Sequence, residues 1–436
     1  MKQELIFKIL LILLALQHYQ CERNKNELPE DIEIKVELED NIPIVEWNIR
    51  EPSRFTSLVL RRIHGIKRED ANCDSCTLLN RRELNENYEV HSIITILTTD
   101  DLEINFFRDS LFPYTDGLFY QVEAINGPTL FVESKYSRLA FPEIHTVPYY
   151  PEMVVFVEEL NCLYFIENSQ TTKLIQYDLN NYSTTSQYDF GIKGADINVC
   201  KGIFGGNFKI LALLSRQICL FNAENLELDW NFSLDTIDHF NAIASRENNI
   251  YIHRAGDPAD AYIYRIDYDT KEFRKASDVT VGYSYCIMKI LDDQLYTINS
   301  VAAIERFEFQ SNGNLVKQNQ VYFENPSVYD IGVSKEKSLL VLSNGHVLDK
   351  NLNPIRTINF KLNTELLCVT GEGEIAAVHV PGTKCVLLYE IESGNVIAHK
   401  NLITLPEFIF GGKTHSISIG DTGDGRSGIE LLDNSK

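Results

Sequence analysis

The sequence has 436 residues, too many for one ordinary hydrophobic core, so two or three domains are expected. Apolar residues make up 44% of it, which excludes a wholly disordered chain. Against 62 acidic residues stand 40 basic ones, a net charge of −22 with no basic stripe. That balance argues against a nucleic-acid partner, because phosphate contacts need clustered Lys and Arg.

The first twenty residues read as a signal peptide. Lys2 supplies a charged start, and residues 5–7 and 9–16 are apolar, interrupted by Lys8 and followed by polar residues 17–20. This stretch is too short to span a bilayer comfortably, and no other segment approaches 18 apolar residues. An exported chain is expected. Cys21 follows at once, an arrangement that resembles a bacterial lipoprotein signal, although His18, Tyr19 and Gln20 depart from the Leu and small residues of that pattern. The resemblance implies lipidation at Cys21 and an outer-membrane or cell-surface location. Ordinary cleavage near residues 15–17, giving a periplasmic or secreted protein, is the alternative. Residues 21–28 then form a polar tether.

Eight cysteines remain. Cys162, Cys200, Cys219, Cys286, Cys368 and Cys385 each sit inside an apolar strand-like run and read as core thiols. Cys73 and Cys76 lie in a polar loop. A lone CxxC is weak for zinc, which wants four ligands, so a local disulfide between them is the expectation in an oxidising compartment.

Residues 29–141 alternate as strands do. Apolar and charged residues alternate over 32–38, Asp40 and Asn41 mark a turn, and strands follow at 44–47, 57–63, 92–97, 106–112, 118–124 and 136–141. About seven short strands in some hundred residues is a sandwich pattern. With Trp47 on the second strand, residues 60–62 on the third, Leu111 and Pro113 before the sixth, and residues 120–126 on it, the segment resembles a fibronectin type III domain. The resemblance implies that Trp47 fills the core and that a tyrosine corner falls near position 118, which is Leu here. By itself it implies a spacer or interaction module.

Residues 142–436 repeat. An apolar strand ending at Asp or a substitute and then a polar turn recurs at Asp178, Asn222, Asp267, Gln310, Asp349, Glu390 and Asp433, with spacings of 44, 45, 43, 39, 41 and 43 residues. A period of 40–45 with four strands per unit is the propeller signature. Seven units are favoured, with six and an irregular tail as the alternative. The last unit runs out of chain before a fourth strand, and residues 143–150 are the candidate to supply it and close the ring. The segment resembles seven-bladed propellers of the broad WD40-like and quinoprotein-like sort, without the Gly-His and Trp-Asp dipeptides of true WD40 repeats. The fold expected overall is all-β: a fibronectin type III-like sandwich followed by a β-propeller. This order resembles surface lipoproteins of the Bacteroidota.

No catalytic spacing stands out. Residues 423–428 match GxGxxG, but only eight residues follow, so a hairpin loop is the reading rather than a nucleotide fingerprint. The histidines lack HxH or HExxH spacing, and no GxSxG elbow occurs. No cofactor and no metal are expected. The loops that lead into the innermost strands hold Asp196, His239, Asn241, Tyr283, Tyr285, Tyr329, Asp330 and Glu407, which are the candidate ligand-binding residues. Tyr and Asp around a concave mouth can stack on and hydrogen-bond a sugar or a peptide. A non-catalytic binding or scaffolding lipoprotein is therefore expected, with a protein or glycan ligand. A glycan-active hydrolase or lyase using propeller-mouth carboxylates is the alternative.

Overall fold

A computed structural model describes residues 31–67, 84–85, 87–114, 117–127, 130–142, 144–193, 197–214, 216–234, 239–256, 260–282, 286–299, 303–323, 328, 330–360, 366–423 and 425–434. The chain forms two compact units, Met1–Pro142 and Glu143–Lys436.

In the first unit the strands are β1 (Ile32–Glu39), β2 (Ile42–Ile49), β3 (Ser57–Lys67), β4 (Tyr88–Thr99), β5 (Phe106–Arg108), β6 (Leu118–Asn126), β7 (Leu130–Glu133) and β8 (Ser137–Arg138). They make two sheets, ordered β1-β2-β5 and β4-β3-β6-β7, with β8 also paired to β6. The β1–β2 hairpin closes on Asp40 and Asn41, whose φ angles of 49° and 61° are the left-handed pair that a two-residue turn requires. Trp47 is 5% exposed and is buried with Val45, Leu58, Leu60 and Val122. The strand expected over 106–112 is shorter and ends at Arg108; the Asp109 N–H still donates to the Pro43 carbonyl of β2 at 3.0 Å, while its side chain is buried. The Asp109 carboxylate accepts two bonds of 3.0 Å from Arg62 and one of 2.8 Å from the Tyr120 hydroxyl. Leu118 is wholly buried and carries no hydroxyl, and the Tyr120 hydroxyl two residues on bonds a side chain rather than the backbone.

The second unit opens with β9 (His145–Val147) and continues as seven four-stranded antiparallel sheets. The first is β10 (Met153–Val157), β11 (Cys162–Glu167), β12 (Lys173–Asp178) and β13 (Ser183–Asp189). The second is β14 (Asn198–Phe204), β15 (Asn207–Leu214), β16 (Gln217–Asn222) and β17 (Leu228–Ser233). The third is β18 (His239–Arg246), β19 (Asn249–Ala255), β20 (Ile263–Asp267) and β21 (Phe273–Lys275). The fourth is β22 (Cys286–Leu291), β23 (Gln294–Asn299), β24 (Ala303–Phe309) and β25 (Leu315–Tyr322). The fifth is β26 (Ile331–Ser334), β27 (Leu339–Leu342), β28 (His346–Asp349) and β29 (Pro354–Thr357). The sixth is β30 (Leu367–Thr370), β31 (Ile375–His379), β32 (Cys385–Glu390) and β33 (Val396–Asn401). The seventh joins β34 (Leu405–Gly411), β35 (His415–Asp421) and β36 (Ser427–Asp433) to β9, which pairs Ser427 with Val147. The loop of residues 423–428 belongs to the β35–β36 hairpin.

The sheets are arranged as a β-propeller. Each innermost strand touches the next, from β10 through β14, β18, β22, β26 and β30 to β34. Phe156 of β10 meets Phe410 of β34, ring centres 6.3 Å apart, so the ring returns to its start. Each sheet is buried on both faces, which is why the middle strands read as unbroken apolar runs. On β11, Tyr164 packs with Ile210 and Phe221 of the second sheet, while Leu163 packs with Ile417 and Ile429 of the seventh.

The recurring Asp has a local cause. At the end of the third strand of the first, third and fifth sheets its carboxylate accepts backbone N–H groups of the following turn: Asn180 for Asp178 (2.8 Å), Thr270 for Asp267 (2.9 Å), and Asn351 for Asp349 (2.7 Å). Asn222 does the same for Glu224 at 2.9 Å. These are Asx turns, which Asp and Asn form and longer side chains do not.

The central channel as candidate functional site

The innermost strands enclose a cavity of about 860 Å³. Its wall comes from the first five sheets and from Phe410 of the seventh. At the end where loops lead into these strands lie Asn198, Asn241 and Asp330; at the end where each innermost strand turns into the next lie Glu159, Glu247, Asp292 and Lys335.

Asp330 precedes β26. Its carboxylate accepts the Ile331 N–H at 2.8 Å and faces the Lys289 ammonium at 3.8 Å, a long ion pair. Burial pushes its carboxyl above the ordinary value, while Lys289 and the Ile331 N–H pull it back. Lys289 stands in the otherwise apolar β22, and that interruption was the sequence signal that could have singled it out. Asn241 sits where β18 skips a residue against β19, and this bulge turns its side chain toward the third-sheet His253. The Asn241 amide oxygen is 2.7 Å from His253 Nδ1, and His253 Nε2 lies 2.7 Å from the Val281 carbonyl oxygen. His253 is completely buried, and burial holds its imidazole below the ordinary value against the pull of the Val281 and Gly282 carbonyls.

Of the candidate residues, Asn241 and Asp330 are brought to one cavity wall. His239 and Glu407 are not among the residues that line it. His239 is exposed at the start of β18. Glu407 occupies the bulge of β34, between the pairs Pro406–Gly420 and Phe408–Ile419, where burial first and the Asp421 charge second push its carboxyl up to about 7. Asp196, Tyr283, Tyr285, Tyr329, Cys21, Cys73 and Cys76 lie outside the described residues.

Two thiols on the wall were read as core residues. Cys200 and Cys286 are free, as are Cys162, Cys219, Cys368 and Cys385. Burial pushes Cys200 and Cys368 up to about 12, so they stay protonated and unreactive at neutral pH. Among the described residues no group of three or more His, Cys, Asp or Glu side chains could hold a metal ion, and no helix is long and apolar enough to cross a membrane.

No protein-family model matches the chain, and no curated protein matches it in sequence. Solved structures do resemble it. The crystal structure of Chaetomium thermophilum Raptor aligns with a TM-score of 0.51 and 14% identity over 66% of this chain, a match that spans 28% of the Raptor chain. The β-propeller domain of Myceliophthora thermophila Cps50 (Swd1) aligns at 0.49 with 9% identity, covering 66% of this chain and 99% of that one. The RRP9 WD40 repeats also align at 0.49 with 9% identity, over 67% and 96%. At such identities the likeness concerns fold alone, and the two alignments at 0.49 add nothing to what the sheet order already defines: an all-β chain whose second unit is a β-propeller.

Proposed function

We propose that this chain is a non-catalytic binding or scaffolding protein. Its first unit is a fibronectin type III-like spacer, and its second is a seven-bladed propeller that serves as the recognition head. The observation that carries this reading is the channel. A cavity of about 860 Å³ is walled by apolar strands and holds a few polar groups already fixed by neighbours, Asp330 by Lys289 and Asn241 by His253. A concave, mainly apolar wall with a few oriented polar groups suits recognition of a peptide or a glycan. The test is an array of peptides and glycans read for binding and, in parallel, for turnover. Binding without turnover is the expected result. Turnover abolished by Asp330→Asn or Glu407→Gln would overturn it.

Glu407 supports the second reading, a glycan hydrolase or lyase, because a carboxyl raised to about 7 beside Asp421 has the acidity of a proton donor at neutral pH. For location, we propose export and attachment through a lipid on Cys21, supported by the apolar segment before it. Several acyl chains anchor stably, since each buried CH₂ contributes about 0.8 kcal/mol. Cys21→Ser should move the protein from the detergent fraction to the soluble one. Identical fractionation of both forms would leave a secreted or periplasmic protein.

A further inference from the structure

The hairpin end of the channel carries a pattern that the loop end does not. In each innermost strand, consider the residue one step before the last ladder pair with the second strand. The positions are Phe156, Ile203, Ser245, Ile290, Val333, Val369 and Phe410, opposite Leu163, Phe208, Ile250, Leu295, Leu340, Ala376 and Ile417. Six of the seven are large and apolar, and all but Val369 line the cavity. Ile203 is 54% exposed although it lies on an innermost strand. Phe156 and Phe410 also pack between the first and seventh sheets, and Ile290 and Val333 against neighbouring cores, so the collar these side chains form shows the cavity the free sides of Phe156, Ile203, Ile290, Val333 and Phe410. An apolar surface left open in this way marks an interaction site.

The turns that follow these strands surround the collar with acid. They hold Glu158, Glu159, Glu247, Asp292, Asp293, Glu336, Glu372 and Glu374 against Lys335, Lys337 and Lys413. Some acids are engaged: Glu159 with Lys201 at 3.5 Å, Asp293 with Arg246 at 2.8 Å, Asp292 with Lys350 at 3.9 Å, and Glu374 with Lys337 at 3.1 Å. Glu247 and Asp293 remain 73% and 85% exposed, and Arg246 is shared between them. The cations deeper in the wall are already matched, Lys201 by Glu159 and Lys289 by Asp330. The rim therefore presents surplus negative charge around an apolar opening, on a chain whose net charge is −22.

We propose that the hairpin end of the channel docks a basic peptide segment of a partner protein, with one or two large apolar side chains seated in the collar and lysine or arginine side chains on the rim. This rests on the reading of the channel as a recognition site and names its ligand class and its working end. Apolar anchoring supplies most of the affinity, and the rim charges supply orientation and salt dependence.

The probe is a fluorescein-labelled hexapeptide, Leu-Phe flanked on each side by two lysines, titrated with the full chain and read by anisotropy. Saturable binding that weakens with added salt is expected. Replacing the lysines by glutamates, or Leu-Phe by two alanines, should weaken it by about tenfold or more. Ile203→Glu and the milder Ile203→Ala change an exposed side chain, so both should fold with an unchanged melting temperature, and both should weaken binding, the first by about tenfold or more. Tyr322→Ala, an exposed side chain on the outermost strand β25 and not part of the cavity wall, should leave binding unchanged. If wild type fails to bind the probe, or both Ile203 variants bind as wild type does, the collar is not the docking site. If binding is lost in Asp330→Asn and kept in the Ile203 variants, the channel still recognises ligand but from its loop end, and the present inference falls alone. Failure of every peptide and glycan on the array would instead remove the broader reading.

Discussion

At the scale of single residues, two carboxylates titrate in opposite senses. Asp267 is held below the ordinary carboxylate range, chiefly by the Thr270 N–H, with burial the next-largest effect opposing it and lesser help from the Thr270 hydroxyl, the Arg265 charge and the Asp269 N–H. A depressed carboxyl stabilises the fold above its unfolded value and loses that contribution as pH falls through its folded value. Asp267→Ala should therefore cost about 1 kcal/mol at pH 7, and the difference from wild type should shrink in acid as the carboxylate is protonated. Melting both proteins from pH 7 down to pH 3 measures this. Glu407 has the reverse sign. Its carboxyl is raised from 4.5 to about 7, so the folded state favours the protonated form and ionisation destabilises it progressively across that window. Glu407→Gln should melt close to wild type at pH 4, gain on it as pH rises to 7, and hold that gain above. A constant difference at all pH values would show that the Glu407 side chain is ordinarily solvated.

Individual elements are tied together by buried hydroxyls and rings. Tyr251, on the second strand of the third sheet, donates its hydroxyl to the Gly313 carbonyl in the third hairpin of the fourth sheet at 2.9 Å. Tyr296 makes the equivalent bond to the Lys350 carbonyl of the fifth sheet at 2.6 Å, and Tyr164 reaches Ala223 of the second. These three bonds latch the first, third and fourth sheets to their successors. Tyr251→Phe keeps the ring and removes the donor, so it should cost about 1–3 kcal/mol, read as a fall in the denaturation midpoint of the second unit. In the first unit Trp47 is the largest apolar contribution of β2 to the core. Trp47→Ala should cost about 3–5 kcal/mol and lower the melting of that unit while leaving the transition of the second unit in place. An unchanged first transition would mean that the β2 alternation faces the other way.

For the propeller as a whole, closure is the controlling feature. The seventh sheet takes its last strand from β9, which precedes the other six sheets in the chain, so the last and first parts of the unit are hydrogen-bonded together. This removes a free edge on β36 and makes the ring cooperative. A chain that starts at Met153 lacks β9 and should aggregate or melt lower than one that starts at Pro142. Thr146→Pro, at the centre of β9 opposite Gly428, should weaken the same closure without shortening the chain. Equal solubility and melting of all three would separate ring integrity from β9.

The sequence alone determined much of the architecture, because period is a local property. Alternation over 32–38 placed β1, the Asp40–Asn41 pair placed its turn, and the Asp178, Asp267 and Asp349 spacing located the third strand of successive sheets. Each of these signals depends on backbone chemistry within a few residues: two-residue alternation, left-handed φ angles, and Asx capping of a hairpin. The end of β5 at Arg108 was not legible, and neither was the buried cluster in which Arg62 and Tyr120 reach Asp109 from two other strands. The site was less legible still. Loop position suggested Asn241, Asp330, His239 and Glu407 together, but only the ring geometry decides which of them faces the cavity. The collar of Phe156, Ile203, Ile290, Val333 and Phe410 had no signature, because each is an ordinary apolar residue in an ordinary strand. They share a level only after seven hairpin registers and the closure of the ring set their heights around one axis, and that is a property of tertiary structure.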